Sequence, residues 1–205
     1  TVVPCCFVDD LSADKTGPDG SVEKELGGFI EEIAAGFAEN ELELPGTKCV
    51  ATASNKELGK RLQERWKAAG LHIPYRRGVK FLGVGLGGGV RRYSQVSKDR
   101  CTAFAARVPR FRWLRRAGID AAMLVRTGGK QSMTYGAAVI GVSNALLRNQ
   151  QSVASAASSP ASGRGGQNID MAMIVADGSA KGMVDPEFDA HLQPIGEWAN
   201  AVWEV

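Results

Sequence analysis

Two adjacent carboxylates close a short apolar run near the start of the chain, in Phe7-Val8-Asp9-Asp10. Like charges set side by side repel unless a cation neutralises them, and carboxylate oxygens are favoured ligands of hard divalent ions. Mounted on a rigid turn, such a pair suits phosphoryl transfer assisted by two metal ions. An ordinary polar β-turn also favours aspartate, so the pair alone does not separate the two readings.

Other chemistry-bearing patterns fail on their own spacing. Gly83 to Gly88 (GVGLGG) fits a dinucleotide fingerprint, but a basic segment follows and the expected ribose-binding acid is missing. Aligning Gly20 with the invariant glycine of an EF-hand puts Lys15 and Leu26 at the first and last ligand positions, which excludes a calcium loop. His72 and His191 are the only histidines, and neither has a partner at metal-binding or triad spacing. Cys5, Cys6, Cys49 and Cys101 offer no CxxC pair. Neither a disulfide scaffold nor a zinc ribbon is expected, and a reducing intracellular compartment, the nucleus included, is the expectation.

Charge along the chain carries a second chemical signal. The 205 residues sum to only +3, yet residues 76–130 hold 14 basic and 2 acidic side chains. Residues 1–75 hold 8 basic and 13 acidic, and residues 131–205 hold 3 and 7. A basic block of this kind is either a footprint for phosphates or a solvated helix face. Hydrophobic content of 44% and charged content of 23% exclude wholesale disorder. No run approaches the roughly 18 apolar residues of a membrane span, so no membrane partner is expected.

The elements that must position these residues follow from periodicity and caps. Val2 to Val8 reads as a strand, Asp9-Asp10 as an acidic turn and Leu11 to Ala13 as a returning strand. Ser21 is expected to cap a helix whose apolar face (Val22, Leu26, Phe29, Ile30, Ile33, Phe37) runs to about Asn40. A turn at Pro45-Gly46, a strand over Cys49–Ala53 and a second helix follow. Ser54 and Glu57 form the expected capping box, Gly70 the stop, and Leu58, Leu62, Trp66 and Ala69 the buried stripe. Val79 to Leu86 reads as a strand closed by Gly87-Gly88-Gly89. From Ser94 onward Val96, Cys101, Phe104, Val108, Phe111 and Leu114 fall at helical intervals, with a kink or a break expected at Pro109. Further helices are expected near 119–127, 131–142 and 144–157, with a linker over 158–168 and a helical tail.

In order, FVDD, an amphipathic helix, LELPGTK (Leu42 to Lys48), a helix and VKFLGV (Val79 to Val84) resemble the reverse transcriptases of non-long-terminal-repeat retrotransposons. In that family an aromatic-x-Asp-Asp hairpin is palm motif C, a lysine-bearing turn is motif D, and an LGV strand beside the primer is motif E. A basic helical thumb comes next, where this chain has RRYSQVSKDR through FRWLRRAG. QSMTYGAAVIG (Gln131 to Gly141) is similar to the sequence that follows the thumb. The resemblance covers roughly residues 2–150, with FVDD and FLGV its most specific parts and motif D a loose match.

The resemblance implies an α+β fold: a partial palm of antiparallel strands with helices on one face over 1–90, a thumb-like region over 91–157, and a helical extension over 169–205. It implies Asp9 and Asp10 as carboxylate ligands of catalytic Mg²⁺, with Mn²⁺ as a substitute, and Lys48 as the cation at the triphosphate of the incoming dNTP. Phe81, Leu82 and Gly83 would lie near the primer terminus, with Gly83 and Gly85 permitting close backbone approach. Arg91, Arg92, Arg110, Arg112, Arg115 and Arg116 would contact phosphates of an RNA template and DNA primer. The family's fingers, its motif A aspartate and its motif B precede the hairpin, and only eight residues precede Asp9 here. The 205 residues alone are therefore expected not to polymerise, and an upstream fingers and palm segment of the same polyprotein is expected as partner. Two rival readings are a non-catalytic nucleic-acid-binding module derived from a retroelement and an interaction domain with a solvated basic face.

Overall fold

In the computed structural model, residues 1–7, 10–42, 44–89, 92–159, 168–177 and 184–203 are described. Asp9 and Arg91 lie outside them, as do Glu43 and most of the expected linker. The fold is mixed helix and strand with two small antiparallel sheets. Contacts divide the chain into two units: residues 1–79 with 87–91, and residues 80–86 with 92–205.

The first unit begins with strands β1 (Val3–Phe7) and β2 (Asp10–Asp14), antiparallel and paired from Val3↔Asp14 to Phe7↔Asp10. Helix α1 (Asp19–Glu39) follows. It starts directly after Pro18, two residues before the expected cap. Proline fixes its own backbone for this entry, so Ser21 falls inside the first turn and its hydroxyl donates to Glu25 Oε1 at 2.7 Å. Helix α2 (Lys56–Ala68) is capped by Asn55, whose Oδ1 accepts from Leu58 N at 2.7 Å, in place of the Ser54 box. Its end is a Schellman motif, with Leu71 N donating to Trp66 O and Gly70 N to Lys67 O.

Val22 of α1 packs with Leu58, Leu62 and Trp66 of α2, flanked by Leu26, Ile30, Ala51 and Ile73. Ala69, expected in that stripe, is exposed because the helix has already ended. Two polar anchors clamp α2 to one turn of α1. The Arg65 guanidinium bonds both carboxylate oxygens of Glu31, at 2.7 and 2.8 Å, while Trp66 Nε1 donates to Gly27 O at 3.3 Å. Such a bidentate pair is stronger and more directional than a neutral bond. Cys49–Ala53 does not form the expected strand. Among the described residues it makes a single parallel bridge, between Ala51 and Tyr75.

Val79 to Leu86 is likewise not one strand. It folds into a hairpin of β3 (Gly78–Phe81) and β4 (Val84–Gly87) about Leu82-Gly83, both at positive φ (45° and 82°). That geometry is the tight turn whose twist matches paired strands.

The second unit is a helical bundle. Helix α3 (Gln95–Ala105) breaks as expected before α4 (Val108–Arg116), with Pro109 in the first turn where its missing N–H costs nothing. Then come α5 (Ala121–Leu124), a π-turn (Val125–Gly129), α6 (Lys130–Thr134), α7 (Ala137–Ile140) and α8 (Asn144–Ser158). The tail supplies α9 (Ile169–Asp177) and α10 (Pro186–Trp203). Cys101, Phe104, Val108, Val125, Met133, Leu146 and Ala154 form one core with Met173 and Val184 of the tail. Lys130 Nζ, nearly buried, meets Asp189 Oδ1 of α10 at 2.9 Å. No helix among the described residues is long and apolar enough to cross a membrane.

Removing one partner of a nearly buried ion pair leaves the other charge uncompensated. Asp189→Ala is expected to lower the stability of the second unit by about 3–5 kcal/mol, and Asp189→Asn by less. Denaturant unfolding of the three proteins measures this, and equal midpoints for parent and alanine variant would refute it.

The hairpin is tied to α1 through Lys15, whose Nζ bonds Glu25 Oε2 at 2.8 Å. This contact, with Ser21 second, holds the Glu25 carboxyl down at about 2, against an ordinary value of 4.5. A depressed folded value stabilises above the ordinary value and loses that contribution as pH falls towards the folded one. Glu25→Gln should therefore be less stable than the parent near neutral pH, with the gap closing as pH falls towards about 2. Midpoints of denaturation at several pH values test this; a gap independent of pH would count against it.

Candidate functional site

The first candidate group is the carboxylate hairpin of the first unit. The ladder of β1 and β2 ends with Phe7 paired to Asp10, so Asp10 opens the second strand at the closed end of the hairpin. Asp10 is exposed, and its carboxylate takes no hydrogen bond or ion pair among the described residues. It is a hard oxygen donor of the kind Mg²⁺ accepts, and one such donor does not complete an octahedral site. Asp9, the other expected ligand, lies outside the described residues, among which no group of three or more His, Cys, Asp or Glu converges. Lys48 is exposed in the turn after Pro45, with its N–H bonded to Pro45 O at 2.8 Å. Its ammonium is free to meet an anion from solvent.

The second group belongs to the other unit and centres on the tip of the β3–β4 hairpin. Leu82 is 42% exposed and Phe81 half-buried. The tip is held from behind. Tyr135 Oη donates to Leu82 O at 3.2 Å, and the Arg100 guanidinium lies 4.6 Å from the Tyr135 ring centre while donating to Tyr135 O at 3.1 Å. Tyr135 sits at the break between α6 and α7, where the chain leaves helical geometry. The close approaches at Gly83 and Gly85 are intramolecular. A Cβ on Gly83 would meet Arg100 and Tyr135 at 3.0 and 3.1 Å, and one on Gly85 would meet the Tyr93 carbonyl at 2.5 Å.

The third group is the basic face of α4. Val108 is buried and Phe111 half-buried, so the side of the helix carrying these residues faces the core. Arg115 lies four residues beyond Phe111 and therefore on that same side. Its Nη1 donates to Ala157 O at 3.2 Å and to Ser159 O, the carbonyls that end α8. Burial, with the neighbouring Arg112 charge second, pulls its guanidinium below its ordinary value. Arg110, Arg112 and Arg116 are exposed, Arg110 opposite that side and Arg112 and Arg116 along its flank. Arg92 is also exposed, its guanidinium lying over Gly141.

Asp10 and Lys48 thus belong to the first unit, and Phe81, Leu82, Gly83, Arg92 and the α4 arginines to the second. Arg115 acts within the bundle as a cap on α8, while its three neighbours are left to solvent. Three further residues of these groups escape sequence reasoning. Tyr135 and Arg100 hold the hairpin tip from distant parts of the chain, and no local signal marks them. Trp113, 68% exposed, has one: it lies off the Val108–Phe111–Arg115 side of its helix.

The backbone contact at Gly85 leaves no room for a side chain, whereas Tyr135 contributes one hydrogen bond. Gly85→Ala is expected to destabilise the second unit by about 1–3 kcal/mol, and Tyr135→Phe by about 0.5–1.5 kcal/mol. Chemical denaturation ranks the two; a neutral Gly85→Ala would show that the Tyr93 carbonyl can give way.

No family model, curated protein or solved structure matches the chain.

Proposed function

We propose that the chain is part of an RNA-directed DNA polymerase of the non-long-terminal-repeat retrotransposon kind: the palm from motif C onward, the thumb and a helical extension. The observation that supports the reading is Asp10, second of an Asp-Asp pair in the sequence, at the closed end of two antiparallel strands whose ladder ends in Phe7↔Asp10. It is followed in order by a lysine turn, a tight FLGV hairpin and a basic helix.

In this reading Asp9 and Asp10 would hold the catalytic metal. Bound Mg²⁺ would supply the charge that activates the primer 3′-hydroxyl and stabilises the leaving pyrophosphate. Lys48, on its exposed turn, offsets charge that develops on the triphosphate. The Leu82-Gly83 tip lies at the primer end, braced by Tyr135 against displacement. Arg110, Arg112 and Arg116 hold phosphates of the template–primer without reading sequence. The two-metal site also requires the motif A carboxylate, which these residues do not contain. Alone they are not expected to polymerise.

The test is primer extension on an RNA template by the chain extended upstream through motifs A and B. Asp9→Ala and Asp10→Ala should each lower extension on the order of a hundredfold or more, with nucleic-acid binding retained. Full activity in both variants would sink the proposal.

A second reading, a non-catalytic nucleic-acid-binding module, is favoured by the outer face of α4 taken alone. It separates from the first by binding that falls steeply with salt, survives loss of Asp9 and Asp10, and needs no divalent ion.

A further inference from the structure

The outer face of α4 holds more than phosphate-binding charge. Trp113 is 68% exposed on a helix whose other apolar side chains turn inward or sit at its first turn, and its indole makes no hydrogen bond or ring contact among the described residues. Arg110 and Arg116 lie three residues to either side of it, so these three share one face, whereas Arg112, four residues beyond Val108, is exposed along the border of the core-facing side. A single exposed aromatic is ordinary by itself, but this one offers an open ring face between two arginines.

We propose that this face is a stacking site for an unpaired nucleobase: the Trp113 ring takes the base, and Arg110 and Arg116 take the flanking phosphates. The inference deepens the polymerase reading and rests on its nucleic-acid partner, not on its catalysis. Arginines alone would hold single strands and duplexes alike through their phosphates. A free aromatic ring adds selectivity, because bases inside a duplex have both faces already covered, whereas an unpaired base offers one. The ligand is therefore single-stranded RNA or DNA, such as template not yet copied, bound without sequence preference since every base has a π-face. A membrane surface fits less well. An interfacial helix needs a continuous apolar face, and the apolar side of α4 is turned into the bundle core.

The test uses the whole 205-residue chain and two labelled oligonucleotides, a single strand of about ten nucleotides and a hairpin duplex, titrated at several salt concentrations. Trp113→Ala should weaken single-strand binding roughly fivefold to a hundredfold and leave duplex binding and the salt slope unchanged. Trp113→Tyr, which keeps a stacking ring, should retain most of the affinity. Replacing Arg110 and Arg116 together by Ala should weaken both ligands and reduce the salt slope by about two. Single-strand affinity untouched by Trp113→Ala overturns the stacking site while leaving the arginine contacts standing. Equal losses on both ligands overturn it as well. If neither oligonucleotide binds, the nucleic-acid partner of the proposed function falls together with the site. Trp113-dependent binding to anionic vesicles in that case would assign the face to a membrane.

Discussion

Four arginines on a nine-residue helix repel one another, and the way α4 relieves that repulsion sets the character of the second unit. Arg115 turns inward and donates to the carbonyls of Ala157 and Ser159, at the end of α8 where the helix dipole is negative. One interaction thereby relieves crowding and supplies partners to orphan carbonyls. It also fixes the rotation of α4 about its axis. With Val108, Phe111 and Arg115 committed to the bundle, Arg110, Trp113 and Arg116 face outward, and Arg112 is exposed at the border of the bundle-facing side. The basic surface is thus a consequence of which arginine the core accepts.

The two hairpins solve different problems with the same device. In β1–β2, five residue pairs bring the strands together at Phe7↔Asp10, where polar side chains are tolerated because the strands are largely exposed. Its anchorage comes from outside the ladder, through Lys15 and Ser21 on Glu25. In β3–β4 the strands are only four residues long, and a two-stranded hairpin of that size is marginal by itself. Its tip is therefore held by Tyr135 and by the Arg100 that stacks on that ring. A leucine at positive φ carries strain that such support must outweigh. A tip fixed this firmly presents Leu82 in a constant position.

Much of this was legible in the sequence, and the failures have physical causes. The helical spacing of Cys101, Phe104, Val108 and Phe111 located α3, α4 and their break, because core burial enforces that period. Val79 to Leu86 reads as one strand because apolar and glycine residues run through the bend without a polar turn signal. Leu82 takes a position normally left to Asn or Gly, which no local rule anticipates. Ser54 and Asn55 are both competent caps, and adjacent competitors differ by too little for pattern alone to choose. Cys49–Ala53 has strand composition but lacks a neighbouring strand with which to pair, something only the tertiary fold reveals. For the carboxylate hairpin, sequence supplied the pair and its strands, and the register adds where Asp10 stands; Asp9 lies outside the described residues. Arg115 and Trp113 were within reach: extending the Val108–Phe111 period puts the arginine inside and the tryptophan outside.

The acidic tail explains why the basic surplus of the middle segment ends up concentrated rather than spread. Lys130 belongs to that segment, yet it is buried beneath Asp189, with the Thr134 hydroxyl 3.4 Å from the other carboxylate oxygen. Gln151 of α8 donates to Asp185 and Glu187, and Gln150 to Met133 O. Carboxylates from α10 and the turn before it therefore satisfy polar groups that the bundle would otherwise bury unpaired, at a cost of about 1–3 kcal/mol for each. Arg100 is occupied by Tyr135 and Arg115 by α8. The cations left without such internal duties include Arg110, Arg112 and Arg116, gathered around an exposed tryptophan. Charge that summed over the chain is nearly silent is sorted by packing into an inward set, hydrogen-bonded within the unit, and an exposed set on α4, and the exposed set is the one available to a polyanion.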